Sequence, residues 1–208
     1  MVADSTPQAG DRMMIPPMGN AEKMARRERA IQRGIAARSM LHDTKHHTDV
    51  ELYWLCDLAE KAPGGTAVEC GVKWGGSLIC IATIREGRGP IVAVDNWVSK
   101  TEQLFRQNIA LYELEVEILT MPSWEAPARI KGEVAFCFID ADHGEDGIPR
   151  DIAVWPPKIM PRGILAFHDY NVWKPGVVVK REVDKWQVEA TWEKMGQIGS
   201  TIAFRRPG

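Results

Sequence analysis

From residue 50 onward, the sequence alternates between short apolar runs and longer segments whose apolar residues recur at helical spacing. The apolar runs are continuous, which is typical of strands in a parallel sheet that is buried on both faces. We predict strands at Thr66–Cys70, Ile91–Asp95, Val116–Thr120, Val134–Asp140 and Ile164–Asp169. Such an alternation of strands and helices predicts an α/β fold with a doubly wound, Rossmann-like sheet.

Predicted helices separate these strands, and a hairpin follows them. The helical segments are Val50–Lys61, Leu78–Arg85, Thr101–Tyr112, Ile148–Ile159 and Val177–Trp186. After the last helix, the segments Thr191–Met195 and Thr201–Arg206 flank Gly196 and Gly199, a pattern that indicates a β-hairpin. We therefore expect the sheet to end on an antiparallel hairpin strand.

The chain changes character near residue 50, and we predict a boundary there. Residues 1–49 would form an N-terminal arm and helical cap, and residues 50–208 the main domain. Residues 1–19 are rich in proline, glycine, methionine and polar residues, which favours a mobile arm.

Residues 20–41 predict a basic amphipathic helix, because Met24, Ile31 and Ile35 fall at helical spacing. The arginines of this segment are Arg26, Arg27, Arg29, Arg33 and Arg38. They form either the solvated face of a helix packed on the domain or part of a lid that selects the substrate. His42, His46 and His47 follow in a polar stretch, where the lack of a cysteine or second ligand pair disfavours a metal cluster.

The charge balance and the cysteines exclude several classes of protein. The 208 residues contain 26 Lys+Arg and 28 Asp+Glu, so no global field attracts nucleic acid or a membrane surface. The four cysteines stand singly in apolar segments, at Cys56, Cys70, Cys80 and Cys137, and predict reduced core thiols in a cytoplasmic protein. No apolar run approaches the ~18 residues of a membrane span, and the opening residues do not resemble a secretory signal.

Polar residues gather where the predicted strands end, which is where ligands bind in sheets of this type. After the first strand, Gly71 and Gly75 would let a ligand approach the backbone, and Gly76 and Ser77 lead into a helix N-terminus that suits an anionic group. Asp95 ends the second strand, and a carboxylate there suits the two hydroxyls of a ribose. Each feature also has a structural reading, as a tight turn or a helix cap.

The third, fourth and fifth strands deliver further candidates. Ser123 and Trp124 offer a hydroxyl and an aromatic face to a base. The last two strands place carboxylates and imidazoles at neighbouring ends: Asp140, Asp142, His143, His168 and Asp169. Like charges at a buried edge raise each other's pKa unless a cation or a proton is shared, so this set predicts a functional site.

The order Glu69-x-Gly71-x3-Gly75-x-Ser77, then IVAVD, FIDADH and PRGILAFHDY, resembles the class I S-adenosylmethionine-dependent methyltransferases. Within these, it is most similar to the small-molecule O-methyltransferases of the catechol and macrocin type. The resemblance covers residues 50–206 and implies methyl transfer from S-adenosylmethionine to a hydroxyl of a small-molecule acceptor.

The resemblance also implies roles for individual residues. Glu69 and the glycine-rich loop would line the methionine part of the cofactor, Asp95 would bind the ribose, and Ser123 and Trp124 would flank the adenine. The full set of implied cofactor-binding residues is Glu69, Gly71, Gly75, Gly76, Ser77, Asp95, Asn96, Ser123, Trp124 and Asp140.

Metal-dependent members of this type hold Mg²⁺ with an aspartate after the fourth strand and an acidic pair after the fifth. The matching positions here are Asp140, His168 and Asp169, so a histidine stands where an acidic residue is usual. The resemblance thus leaves Mg²⁺ or Mn²⁺ as the possible metal. Because Mg²⁺ prefers oxygen, His168 points to the softer ion or to a reaction without metal. The lysine base of the catechol enzymes has no counterpart, which leaves Asp142 or His143 as the catalytic base.

Other functions compete with this interpretation. A nicotinamide oxidoreductase would share the fold, but Gly71 is not followed by the Gly-x-x-Gly that this class favours. A catalytically silent cofactor-binding protein stays open. So does a methyltransferase that acts on a macromolecule, although the charge balance disfavours nucleic acid. A homodimer is a further open alternative.

Overall fold

The alternation seen in the sequence corresponds to one mixed sheet of seven strands in the computed structural model of the chain. The structure describes residues 19–39, 47–171, 173 and 176–208, so His42, His46 and nearly all of the predicted arm lie outside the described residues. The strands are β1 (Thr66–Cys70), β2 (Ile91–Asp95), β3 (Glu117–Thr120), β4 (Val134–Ile139), β5 (Ile159–Phe167), β6 (Glu193–Ile198) and β7 (Thr201–Arg205). The helices are α1 (Asn20–Ser39), α2 (Asp49–Lys61), α3 (Gly76–Ile84), α4 (Glu102–Leu111), α5 (Gly147–Lys158) and α6 (Gly176–Ala190), with a short 3₁₀ helix at Ser123–Ala128.

The strand order is β3-β2-β1-β4-β5-β7-β6. Strands β1 to β5 are parallel, and β7 pairs antiparallel with both β5 and β6. The order reverses between β1 and β4, and ligands of such sheets bind at the carboxyl edge beside this reversal. The predicted doubly wound α/β fold with a C-terminal antiparallel hairpin is therefore confirmed.

The apolar strands are buried on both faces, as their continuous patterns predicted. All six residues of β4 are buried. Phe136 and Phe138 contribute to a core shared with α1, α2, α3 and α4, whereas Cys137 and Ile139 contribute to a core shared with α5, α6 and the 3₁₀ helix. The sheet is consequently a rigid support for the loops at its carboxyl edge.

Several element bounds differ from the sequence prediction, and the largest difference is at β5. Strand β5 begins at Ile159 rather than Ile164, and its pairing with β4 shifts register between Val134 and Phe136. The exposed residues in this early part, which include Pro161 and Arg162, break the apolar run and hide the start of the strand. The 3₁₀ helix at Ser123–Ala128 was not predicted, because it carries Pro127 and is too short for a helical period.

Helix α1 packs directly on the sheet-covering helices through Ala30, Ile31 and Ala37, which are buried. Met24, predicted on the apolar face, is instead 73% exposed, because the contact with the domain lies further along the helix. The helix is thus confirmed, with an apolar face shorter than its spacing suggested. The predicted division at residue 50 stays a prediction, since α1 shares its core with α2 and α3.

The arginines of α1 interact within the chain. Arg27 forms ion pairs with Asp57 and Glu60 on α2. The Arg26 side chain donates a hydrogen bond to the Glu86 carbonyl at 3.2 Å. The Arg33 guanidinium carbon lies 5.3 Å from the centre of the Tyr112 ring. These contacts support a helix that is held on the domain by its basic residues.

No helix in the described ranges has both the length and the apolar character that crossing a bilayer requires.

Gly34 allows α1 to cross the start of α3 at close range. A Cβ at this position would lie 2.2 Å from the Cys80 sulfur and 2.8 Å from the Gly76 carbonyl oxygen. Alanine normally favours a helix interior by about 1 kcal/mol over glycine. Here that gain competes with an overlap that involves backbone and cannot relax by side-chain rotation alone.

We expect Gly34→Ala to lower the free energy of unfolding by about 1–3 kcal/mol, the usual range for an overpacked contact. Urea denaturation followed by tryptophan fluorescence measures this change. Gly19→Ala is the matched control, because a Cβ there meets no atom within 4 Å. A Gly34→Ala variant as stable as the control would contradict the close packing of α1 on α3.

Candidate functional site

A cavity of about 770 Å³ opens at the carboxyl edge of the sheet, beside the ends of β1 and β4. Its size falls within the range of small-molecule sites. Most of the predicted site residues line it: Gly71, Gly76, Ser77, Asp95, Asn96, Ser123, Trp124, Asp140, Asp142, His143 and Asp169. Glu69, Gly75 and His168 do not line it and lie behind the wall.

The glycines of the first loop serve the packing of the chain as well as the cavity. Gly71 has a φ of 82°, and a Cβ there would lie 2.0 Å from the Asp140 carbonyl oxygen. Gly75 has a φ of 94°, and its Cβ would press on the Phe105 ring at 2.9 Å. Gly71 therefore lets β1 and β4 deliver their loops side by side, and Gly75 lets α3 begin at the cavity wall.

The Glu69 side chain lies behind this loop and supports it. Its side chain is fully buried at the end of β1 and accepts a hydrogen bond from the Ser77 hydroxyl, at the start of α3. Burial raises the pKa of Glu69 well above its ordinary value, although the Ser77 bond opposes the rise. Glu69 thus fixes the orientation of Ser77, which faces the cavity.

Asp95 is held rigidly at the end of β2. Its Oδ2 accepts the Lys73 backbone N–H at 2.9 Å, and its Oδ1 accepts the Trp97 backbone N–H at 2.7 Å. These bonds join the loop after β1 to the loop after β2 and fix the plane of the carboxylate. Because each carboxylate oxygen accepts more than one hydrogen bond, Asp95 can still bind a pair of hydroxyls.

The loop after β3 rests on a buried acid that the sequence analysis missed. The Ser123 hydroxyl donates to Asp151 Oδ2 at 2.8 Å, and both residues are buried. Burial raises the pKa of Asp151 to about 7, while the bond from Ser123 opposes the rise. On the same helix, the Arg150 guanidinium carbon lies 5.0 Å from the centre of the Trp124 ring. The only signal in the sequence was an acid inside the apolar face of α5.

The predicted acids and histidines of the last two parallel strands meet around Asp140. Asp140 Oδ1 lies 3.2 Å from His143 Nε2 and 3.1 Å from His168 Nδ1. Asp169 Oδ2 lies 3.2 Å from His143 Nε2 and 3.7 Å from His168 Nδ1. Asp142 lies apart from this cluster, with its Oδ1 accepting the Gly144 backbone N–H at 2.8 Å.

The charges of this cluster stabilise one another. Burial by itself raises the pKa of Asp140. The positive charge of His168 and the hydrogen bonds of His143 and His168 outweigh this effect and hold the pKa of Asp140 well below its usual range. Burial likewise opposes a rise at the two histidines, but the Asp140 carboxylate raises the pKa of His143, and raises that of His168 to about 9.

A relay of hydrogen bonds holds His168 from behind. His168 Nε2 lies 3.1 Å from the Ser200 hydroxyl, which donates to Glu51 Oε1 at 3.0 Å. Glu51 also completes a capping box with Thr48 at the start of α2. Since Ser200 donates to Glu51, it accepts from His168 Nε2–H, and this leaves His168 Nδ1 facing Asp140.

His47 joins the site although the sequence analysis did not select it. Its Nε2 lies 3.5 Å from Asp140 Oδ2, its ring centre is 4.1 Å from that of His168, and it lines the cavity. It directly precedes the capping-box Thr48, and this position at a helix start was the available signal. His47, Asp140 and His168 form one group with metal-binding spacing, and Asp140, His143 and Asp169 form another.

The family described as "Methyltransferase domain" matches residues 68–170. No curated protein sequence matches the chain. Several solved structures resemble it over most of its length. The O-methyltransferase NovP has a TM-score of 0.70 at 15% identity, with 89% of this chain and 100% of that chain covered. The SAH-bound methyltransferase PaMTH1 of Podospora anserina has a TM-score of 0.66 at 15% identity, covering 93% and 98%.

A third similar structure is the O-methyltransferase TomG from Streptomyces achromogenes, which is involved in tomaymycin synthesis and was solved in complex with SAM. Its TM-score is 0.62 at 13% identity, covering 85% of this chain and 89% of that chain. At these identities the structures establish the fold. The match to the methyltransferase-domain family over residues 68–170 indicates that this part of the chain forms a methyltransferase domain.

The raised pKa of Asp151 predicts a pH-dependent stability. An exposed aspartate loses its proton near pH 4, whereas Asp151 keeps its proton up to about pH 7 in the folded state. The contribution of Asp151 to the free energy of unfolding is therefore fully present at pH 4 and is lost as the pH rises from about 4 to about 7. We expect Asp151→Asn to remove this loss. Between pH 4 and pH 8, the free energy of unfolding of Asp151→Asn should rise by up to about 4 kcal/mol relative to that of the wild type.

Urea denaturation of both proteins across pH 4–8 tests this expectation. Asp146→Asn is the control, because Asp146 precedes the same helix but is exposed. Parallel pH profiles for Asp151→Asn and the wild type would show that Asp151 ionises normally.

Proposed function

We propose that this methyltransferase transfers the methyl group of S-adenosylmethionine to a hydroxyl oxygen of a small-molecule acceptor. The observation that carries the proposal is the cluster of Asp140, His143 and Asp169 on the wall of the same cavity as the glycine-rich loop and Asp95. The cavity thus offers a polar group for a hydroxyl proton beside a place for a nucleotide-like cofactor. The O-methyltransferases among the similar structures support the same activity.

The cofactor would lie along the ends of β1, β2 and β3. Asp95 would accept hydrogen bonds from the ribose hydroxyls, with its plane fixed by the backbone of Lys73 and Trp97. The methionine part would contact the loop from Gly71 to Ser77, and the adenine would lie beside Ser123 and Trp124. Asn96 and Asp140 are further proposed cofactor contacts, and Glu69, which does not line the cavity, would act by orienting Ser77.

Bound S-adenosylmethionine supplies an electrophilic sulfonium methyl group. The residues of this chain must hold an acceptor oxygen in line with it and remove the hydroxyl proton. Of the two proposed bases, His143 is better placed than Asp142, because Asp140 and Asp169 accept from its Nε2–H and orient the ring, which leaves Nδ1 to accept the hydroxyl proton. A divalent cation held by Asp140, His168 and Asp169 would instead lower the pKa of the hydroxyl as a Lewis acid.

The donor atoms fit such a cation in part. Carboxylates and imidazoles within contact distance of one another suit a divalent ion, but the nitrogen ligands suit Mg²⁺ less well than a softer ion.

A small acceptor is favoured over a polyanion by the contacts of α1. Arg26, Arg27 and Arg33 are engaged with acidic, carbonyl and aromatic groups of the same chain, which leaves less positive charge for nucleic acid.

The buried cysteines support a reducing, cytoplasmic location. A homodimer stays a prediction.

The proposed function is tested with S-adenosylmethionine carrying a ¹³C-methyl group and a panel of catechols, phenols and sugars. We expect a new O–CH₃ carbon signal in a small-molecule product, with and without added Mn²⁺ as separate arms. Cofactor binding without methyl transfer in any arm would favour the silent cofactor-binding protein. In parallel arms that contain RNA or protein instead of these compounds, label found only there would show a macromolecular acceptor.

The role of Asp95 gives a quantitative prediction. Loss of charge-assisted hydrogen bonds to the ribose should weaken the binding of S-adenosylhomocysteine to Asp95→Ala by about 10–100-fold. Asp95→Asn should fall between this variant and the wild type, because its amide keeps one acceptor oxygen. Isothermal titration calorimetry measures these affinities, with exposed Glu115→Ala as the control. An unchanged affinity in Asp95→Ala would refute the proposed ribose contact.

A further inference from the structure

Helix α5 contacts the loop after β3 through two consecutive residues. The Arg150 guanidinium carbon lies 5.0 Å from the centre of the Trp124 ring. The next residue, Asp151, accepts a hydrogen bond from the Ser123 hydroxyl, with 2.8 Å between Oδ2 and Oγ. Ser123 and Trp124 line the cavity, whereas Arg150 and Asp151 lie behind its wall. Two neighbouring side chains of one helix therefore hold two neighbouring side chains of the cavity wall.

The carboxyl group of Asp151 lowers the stability of the fold at alkaline pH. Its side chain is completely buried, and a buried carboxylate is unfavourable unless hydrogen bonds or opposite charges compensate for it. The uncharged amide of Asp151→Asn would avoid this cost, as the expected pH profiles state. A buried acid that destabilises the chain beside a ligand cavity is a candidate functional group.

An ionised carboxylate differs from an amide because it can only accept hydrogen bonds. Burial raises the pKa of Asp151 to about 7, so the group is ionised at pH 8.5. The Ser123 hydroxyl has a single proton, which it donates to Asp151. Ser123 can then offer a ligand in the cavity only the lone pairs of its oxygen. Asp151 thus makes Ser123 a hydrogen-bond acceptor toward the cavity.

An acceptor at this position distinguishes between two kinds of purine. The adenine of S-adenosylmethionine carries an exocyclic amino group, which donates hydrogen bonds. Hypoxanthine carries a carbonyl oxygen at the same ring position, and this oxygen only accepts them. An oxygen of Ser123 that is held as an acceptor would bind the amino group and repel the carbonyl. Sites that hydrogen-bond a polar group of their ligand discriminate strongly against an analogue that leaves the site unpaired.

We propose that Asp151 is a positioning residue that turns the Ser123 oxygen toward the adenine of the cofactor, so that the site selects an amino purine over the corresponding oxo purine. The inference rests on the proposed function, which places the adenine beside Ser123 and Trp124. A wild-type protein that binds neither purine ligand would refute that placement. Binding of both ligands without selectivity would refute the role of Asp151 alone.

A purely structural role of Asp151 leads to a different expectation. If its bond to Ser123 only attached the 3₁₀ helix at Ser123–Ala128 to α5, loss of the bond would weaken the binding of both purines alike. If the bond orients the hydroxyl, its loss changes the ratio of the two affinities. The ratio therefore distinguishes orientation from attachment.

The test is calorimetric titration of the full-length protein at pH 8.5 with S-adenosylhomocysteine and with S-inosylhomocysteine. We expect the wild type to bind the adenosyl compound at least about 10-fold more tightly. In Asp151→Asn, the amide can donate to Ser123 as well as accept from it, so the hydroxyl is free to donate to the oxo purine. The preference should fall at least about 5-fold, chiefly through tighter binding of S-inosylhomocysteine.

Substitution of Ser123 separates the direct contact from the group that orients it. Ser123→Ala should also reduce the preference, but through weaker binding of S-adenosylhomocysteine. In the Ser123→Ala background, Asp151→Asn should leave the ratio within about 2-fold, because residues that act through one contact are coupled in a double-mutant cycle.

Asp146→Asn is the matched control, because Asp146 is exposed and directly precedes the same helix. It should keep the wild-type ratio, and circular dichroism establishes that each variant is folded. The proposal is overturned if the wild type does not prefer S-adenosylhomocysteine, or if Asp151→Asn keeps the wild-type ratio. It is also overturned if Asp151→Asn changes the ratio when the Ser123 hydroxyl is absent.

Discussion

The Asp140 carboxylate brings together three imidazoles from separate parts of the chain. His47 comes from the segment before α2, His143 from the loop after β4, and His168 from the end of β5. A charge buried to this degree is costly unless it is paired, and the three rings provide the pairing. The loops that carry them are therefore coupled to one another through a single side chain.

The packing beneath the site holds these loops close enough for this arrangement. Gly71 has no side chain to separate the loop after β1 from the Asp140 backbone, so the glycine-rich loop and the acid–histidine cluster share one edge. Below them, β4 is buried at every position, and both of its faces contact apolar layers. The apolar layers hold the strand ends in place, and the strand ends hold the polar groups at contact distance.

Local patterns predicted the strands and most of the site, because parallel strands deliver their last residues to the same edge. Asp140, His143, His168 and Asp169 were found by this rule alone. Contacts between distant segments left no such trace: Glu51 and Ser200 are 149 residues apart in sequence yet share a hydrogen bond. His47 and Asp151 escaped for the same reason, since the partners of each lie on other elements.

Different segments of the chain line different parts of the cavity. The family match covers residues 68–170, which include Asp95 and most of the acid–histidine cluster. Gly34, His47 and Leu52 line the cavity from outside that range, on α1, before α2 and on α2. The candidate cofactor contacts lie within the family match. Gly34, His47 and Leu52 therefore border the part of the cavity that those contacts leave. The choice of acceptor should therefore depend on the N-terminal segments, whose position is tied to the site through His47 and Glu51.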